Sequence, residues 1–164
     1  MAEALNPPWP RALLATQSLT AALKATGAAF AVRVRFQGET EALFARERLA
    51  ARHYAREVEL LLDGVAVVWA RSVCDAASQR WREVLACGEQ PLGAKLFGGE
   101  VEAKRSDFVY FTDKVPGADA PVWMRASRFV CAGETLLLTE AFLPALAAFL
   151  PGEIHSGILP KSER

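Results

Sequence analysis

Asp63-Gly64 is the most restrictive pair in the chain. It separates two runs rich in β-branched and large apolar residues, His53 to Leu62 and Val65 to Val73. A two-residue Asp-Gly loop between such runs specifies a β-hairpin, because both central positions of the favoured turn need positive φ. A hairpin alone is marginal and needs further strands or helices to cover its apolar face. The sequence supplies both. Ala29 to Phe36 alternates, with Phe30, Val32, Val34 and Phe36 on one face and Arg33 and Arg35 on a solvated one. Val101 to Phe111, Trp123 to Cys131 and Thr135 to Leu143 read as strands, the last two joined through Gly133-Glu134 as a type II′ turn. Arg11 to Thr26 has helical spacing and reads as one helix broken near Gln17-Ser18, or two short ones. Asp75 to Cys87 opens on an Asp N-cap and reads as a helix, and Leu92 to Phe97 as a short helical turn behind Pro91. Glu41 to Ala51 reads as a loop with one helical turn. The fold class expected is α+β: an antiparallel sheet of about six strands with helices on one face.

The length of 164 residues suits one domain over 1–164, with 1–10 an extended lead-in and 152–164 a mobile tail. Ala145 to Leu150, with Pro144 in its first turn, is expected to form a short helix packed on its own domain. Lys+Arg 19 against Asp+Glu 19 gives no net charge, which argues against a general nucleic-acid binder. Cys74, Cys87 and Cys131 lie far apart without a C-x-x-C pair, which suits buried thiols in a reducing compartment. The start MAEALNPPWPRALL lacks a basic region followed by a long apolar run. The apolar stretch Leu136 to Leu150 is broken by Glu140 and Pro144 and is shorter than the roughly 18 residues of a membrane span. A cytoplasmic protein without a membrane span is expected. His53 and His155 are the only histidines, and neither G-x-x-x-x-G-K nor G-x-G-x-x-G occurs. Those absences argue against a histidine metal site, a histidine-activated nucleophile and a nucleotide cradle. The four tryptophans, Trp9, Trp69, Trp81 and Trp123, are expected in core or strand packing.

The chemical signal is charge on apolar faces. Along His53 to Leu62 one face reads Tyr54, Arg56, Val58, Leu60, Leu62; along Val65 to Val73 one reads Val65, Val67, Trp69, Arg71, Val73. A regular hairpin through Asp63-Gly64 pairs Leu62 with Val65, Val58 with Trp69, and Arg56 with Arg71. Two arginines facing each other on an apolar surface are tolerable with an anion between them. In the last strand Leu136, Leu138, Glu140 and Phe142 share a face, and a Gly133-Glu134 loop sets Glu140 opposite Ser127. A carboxylate there is costly unless paired. Two readings stay open: an internal network of Arg56, Arg71 and Glu140, or a ligand site.

Several segments resemble the chorismate–pyruvate lyase family. They are Arg56-Glu57-Val58 leading into Leu61-Leu62-Asp63-Gly64, Trp69-Ala70-Arg71, Gln90-Pro91-Leu92-Gly93 with Leu96-Phe97, Trp123-x-Arg125-x-Ser127-x-Phe129, and Leu136-Leu137-Leu138-Thr139-Glu140-x-Phe142-Leu143-Pro144. They keep the family's order and near its spacing over most of 17–144. The resemblance implies helical flaps closing over an internal ligand site. It also implies elimination of pyruvate from chorismate to give 4-hydroxybenzoate for ubiquinone, without cofactor or metal. It places the ligand carboxylate on Arg56 and on the amides of Leu19 and Leu92, and the ligand hydroxyl on Glu140. The catalytic pair would be Arg56 and Glu140, with Glu140 orienting the 4-hydroxyl or assisting proton movement. Chorismate is a dianion, so Arg56 and Arg71 together would suit it. A monomer is expected. The alternative is a non-catalytic module of the same fold that binds or senses small aromatic acids. In a regulator it would accompany a helix-turn-helix segment, and none fits this chain; a purely structural protein would bind no ligand.

Overall fold

Alternation and turn chemistry build a single antiparallel sheet. The computed structural model of the chain describes residues 9–92, 96 and 102–150. The strands are β1 (Phe30–Glu39), β2 (His53–Leu62), β3 (Val65–Asp75), β4 (Lys104–Arg105), β5 (Val109–Asp113), β6 (Val122–Cys131) and β7 (Glu134–Phe142). Their order is β1-β2-β3-β7-β6-β4, with β5 also on β6. The segment expected as one strand from Val101 to Phe111 is therefore two short pieces, β4 and β5, along the same edge of β6. Between Ala15 and Leu19 the chain breaks into two short helices, α1 (Arg11–Ala15) and α2 (Leu19–Lys24), as the sequence allowed. The Ser18 side chain caps α2 by accepting from the Ala21 amide, which stabilises a helix by about 1 kcal/mol. The helix α3 (Gln79–Leu85) starts later than expected. Ser78, not Asp75, is its N-cap, and Asp75 ends β3.

The helices α1, α2 and α3 pack on one face, where Leu13, Leu19, Leu23, Trp81 and Leu85 join Leu62, Phe129, Leu136 and Phe142 in the main core. Trp81 is fully buried, and its Nε1 donates to the Glu134 carbonyl at 2.9 Å, tying α3 to β7. A 3-10 helix over Pro144–Phe149 returns to the same core through Leu146. The opposite face carries a smaller apolar cluster of Trp69, Met124 and Ala141 under Phe44, Phe111 and Val122.

Three local irregularities correct the expected registers. Asp63 and Gly64 have φ of 50° and 80°, as the turn requires, and Leu62 pairs Val65. A bulge follows at once: Leu61 pairs Ala66 and Leu60 pairs Val68. Beyond it Val58 pairs Ala70, Glu57 pairs Arg71, and Arg56 pairs Ser72. One inserted residue turns every later side chain to the other face. Arg56 and Arg71 thus lie on opposite faces, not across from each other. A second bulge in β1 between Val34 and Phe36 turns Phe36 outward, where it is 39% exposed. The β6–β7 loop is Ala132-Gly133, with φ of 53° and 81°, so it is a two-residue turn with both positions left-handed rather than Gly133-Glu134. Cys131 consequently pairs Glu134, and Glu140 faces Arg125 rather than Ser127.

Candidate active site

A cavity of about 530 Å³, its mouth included, lies between the helix-covered face of the sheet and two loop segments. Its floor is Val32, Val58, Leu60, Ala70 and Leu138. Gln17 to Thr20, entering α2, close one side, and Pro91, Leu92 and Leu96 close another. The walls are mostly apolar with a few polar groups, the usual composition of a small-molecule site. Arg56, Ser72 and Glu140 supply polar groups from the strands.

Arg56 is 2% exposed and has no carboxylate within salt-bridge distance among the described residues. Its Nη2 donates to the carbonyls of Gly88 at 3.0 Å and Gln90 at 2.9 Å, which aims the guanidinium towards the Pro91–Leu92 side of the cavity. Its Nε has no partner. Burial pulls its pKa below the ordinary arginine value, with the Cys87 thiol opposing weakly. A buried cation without a counter-ion is unfavourable and favours an anionic ligand. Leu19 and Leu92, expected to offer amides, line the same cavity. Leu19 begins α2, where first-turn amides lack intrahelical acceptors.

Glu140 lines the cavity from β7 and is held differently. Arg125, fully buried on β6, donates from Nε to Glu140 Oε1 at 2.6 Å. Arg105 brings a second guanidinium to within 3.8 Å of the same oxygen. Desolvation lowers the Arg105 pKa to about 10, against the stabilising field of Glu140 and with repulsion from Arg125. Arg105 Nε donates to Ser127 Oγ at 3.0 Å. The ring of Phe108 lies 4.0 Å below the Arg125 guanidinium. The site is therefore electrostatically two-ended: an uncompensated cation at Arg56 and a paired carboxylate at Glu140.

Arg71 does not join them. It lies under the 40–52 loop on the other face, where Nη2 donates to Glu47 Oε1 at 2.7 Å and Nε to Glu47 Oε2 at 3.1 Å. Nη1 donates to Glu57 Oε2 at 3.0 Å, and Thr139 Oγ1 adds a donor to Glu47. Arg71, expected as a ligand residue, thus closes an ion cluster with its own carboxylates. Of the sequence-picked residues, the structure brings Leu19, Arg56, Leu92 and Glu140 together and leaves Arg71 out. It adds Ser72, Gln17, Arg125 and Arg105. Alternation alone could have found Arg125, since it shares a face with Phe129 and so with Glu140.

Other titratable groups are accounted for structurally. His53 Nε2 accepts from the Leu49 and Ala50 amides at 2.9 and 3.1 Å, so it holds a turn. Burial pushes the Cys74 thiol up to about 12, and all three cysteines are unpaired by disulfides. Among the described residues no cluster of His, Cys, Asp or Glu is arranged to hold a metal, and no helix is long and apolar enough to cross a membrane. His155 lies outside the described residues, as do 1–8, Val101 and the tail from 151.

An antiparallel sheet with helices on one face, a cavity between them and, among the described residues, an arginine there without a carboxylate partner define an α+β domain. The family model described as chorismate lyase matches residues 3–149, and the chain belongs to that family. It is 38% identical to a probable chorismate pyruvate-lyase of Methylococcus capsulatus, covering 79% of this chain and 90% of the relative. It is 34% identical to a probable chorismate pyruvate-lyase of Ralstonia nicotianae, covering 87% and 85%. A chorismate pyruvate-lyase of Escherichia coli is 32% identical, covering 87% and 86%. Among solved structures, PhnF from Mycobacterium smegmatis superposes with a TM-score of 0.55 at 17% identity, over 80% of this chain and 66% of that one. The C-terminal domain of a histidine utilization repressor from Pseudomonas syringae gives 0.51 at 11%, over 71% and 93%. At these identities the two structures establish the fold and nothing more.

Proposed function

We propose that the chain eliminates pyruvate from chorismate to give 4-hydroxybenzoate, the aromatic acid used to build ubiquinone. In the reaction the bond from C3 to the enolpyruvyl oxygen breaks and C4 loses its hydrogen. The enolpyruvyl carbon gains one, so the products are 4-hydroxybenzoate and pyruvate. No oxidant or reductant is needed, and the ring becomes aromatic. Arg56 seats the ring carboxylate by a charge-assisted hydrogen bond, helped by the Leu19 and Leu92 amides. Glu140 meets the 4-hydroxyl at the other end, where a fixed carboxylate orients the ring for departure of the enolpyruvyl group. Closure by Gln17 to Thr20 and by Pro91-Leu92 excludes water. The reading extends to a cytoplasmic monomer, and three thiols outside any disulfide suit a reducing compartment.

The buried, unpaired Arg56 in the cavity carries this proposal. The test mixes the purified protein with chorismate, following 4-hydroxybenzoate by ultraviolet absorbance and pyruvate by a coupled assay. Equal amounts of both products are expected. Binding of 4-hydroxybenzoate without turnover would favour the sensing alternative, and neither binding nor turnover would reject a ligand role.

A further inference from the structure

Arg125 joins two parts of the molecule. Its Nε holds Glu140, and its Nη1 donates to the carbonyls of Leu14 at 2.7 Å and Thr16 at 2.8 Å. Those carbonyls stand where α1 ends and the connector to α2 begins, and the residues that follow, Gln17 to Thr20, close the cavity. Two further groups hold the same connector: Tyr110 Oη donates to the Leu14 carbonyl at 2.9 Å, and Arg105 Nη1 donates to the Gln17 carbonyl. The helices on either side are only 5 and 6 residues long and cannot hold the connector by themselves.

We propose that Arg125 is a positioning residue that couples closure of the Leu14 to Thr20 connector to the orientation of the Glu140 carboxylate. With the connector shut, the guanidinium is fully buried and its charge is balanced by Glu140. Lifting the connector removes two carbonyl acceptors and admits water, so Glu140 loses its fixed partner when the site opens. Linkage makes the effect reciprocal: removing the Glu140 charge leaves Arg125 buried and uncompensated, which favours the open, hydrated arrangement. The proposal takes the cavity as the reaction site, as above, but its test does not use the reaction.

The experiment is amide hydrogen exchange of the intact chain, comparing wild type with Glu140→Gln and Arg125→Lys. Glu140 makes no hydrogen bond to the connector but lies within reach of Arg105, which holds the Gln17 carbonyl, so Glu140→Gln is also read in an Arg105→Lys background, where a purely structural Arg125 leaves connector exchange unchanged by the Glu140 substitution. Coupling predicts that amides from Leu14 to Thr20 exchange at least threefold faster in Glu140→Gln, with the β2–β3 hairpin unchanged. Arg125→Lys keeps the charge but offers no fork to span carboxylate and carbonyls, and should show the same increase. Should Glu140→Gln lose hairpin protection, Glu140→Asp, which shortens the reach to Arg125, is read in its place. Connector exchange less than threefold faster in the Glu140 variant that retains hairpin protection overturns the proposal. Failure of the lyase reading would appear separately, as wild type that yields no product from chorismate.

Discussion

Arg56 and Arg71 are two buried arginines, 2% and 1% exposed, on neighbouring strands, and their surroundings are opposite. Arg71 has a bidentate partner in Glu47, a second carboxylate in Glu57 and the rings of Phe44 and Trp69 at 4.7 and 5.0 Å. Arg56 has two backbone carbonyls and, among the described residues, no carboxylate. Burial therefore does not distinguish a binding residue from a structural one. The difference is in the satisfaction of charge: among the described residues Arg71 is paired with two carboxylates and Arg56 with none.

The comparison breaks most visibly at Arg71. Arg71→Met strands the fully buried Glu47 carboxylate, and removing one partner of such a pair costs roughly 3–5 kcal/mol. A thermal scan should show Tm lower by about 6–20 °C, while molecules that remain folded still bind 4-hydroxybenzoate. A Tm within 2 °C of wild type would mean that the outer cluster contributes little.

Arg56→Ala should behave in the opposite way. Losing the carboxylate's charged partner costs roughly 2–5 kcal/mol, about 30- to 4,000-fold in kcat/KM, with the fold retained. Removing an unpaired buried cation should leave Tm unchanged or raise it. Turnover within threefold of wild type would contradict the assignment.

A deletion that removes core packing calibrates both. Ending the chain before Ala145 removes fully buried Leu146 from the main core, and with partly buried Phe149 this costs roughly 2–4 kcal/mol. Tm should fall by several degrees, and an intact Tm would show that the 3-10 helix does not pack on its own sheet. The smallest effect belongs to the solvated pair Arg33–Glu59, joined at 2.7 Å with half-exposed Arg33. Arg33→Ala should change stability by roughly 0.2–1 kcal/mol, less in high salt, as denaturant titration at two ionic strengths would show.

The sequence made the inner face legible through alternation. Val58 and Leu60 on β2, and Leu138 and Phe142 on β7, mark the core, so Arg56 and Glu140 stand out against them. Arg71 misled for a definite reason. One bulged residue after Asp63-Gly64 leaves composition and alternation intact on either side while reversing which face meets which. The β6–β7 turn hid the Arg125–Glu140 pair in a milder way. Ala132 adopts positive φ where Gly is the usual choice, so the loop looked one residue later and the register moved by two. A shift of two keeps the face and changes the partner. Glu47 ends a single 3-10 turn, Ala45–Glu47, too short for a period to show that its side chain is buried.

Calorimetric titration of 4-hydroxybenzoate into wild type, Arg56→Ala and Arg71→Met tests the contrast between the two faces most directly. The product retains the ring carboxylate and the 4-hydroxyl, so it should bind wild type tightly, with Kd at or below the substrate KM. Arg71→Met, where folded, should bind within about threefold of wild type, and Arg56→Ala should lose at least 30-fold in affinity, about 2 kcal/mol. Arg56→Ala that binds as tightly as wild type, or Arg71→Met that loses binding while fully folded, would contradict the account.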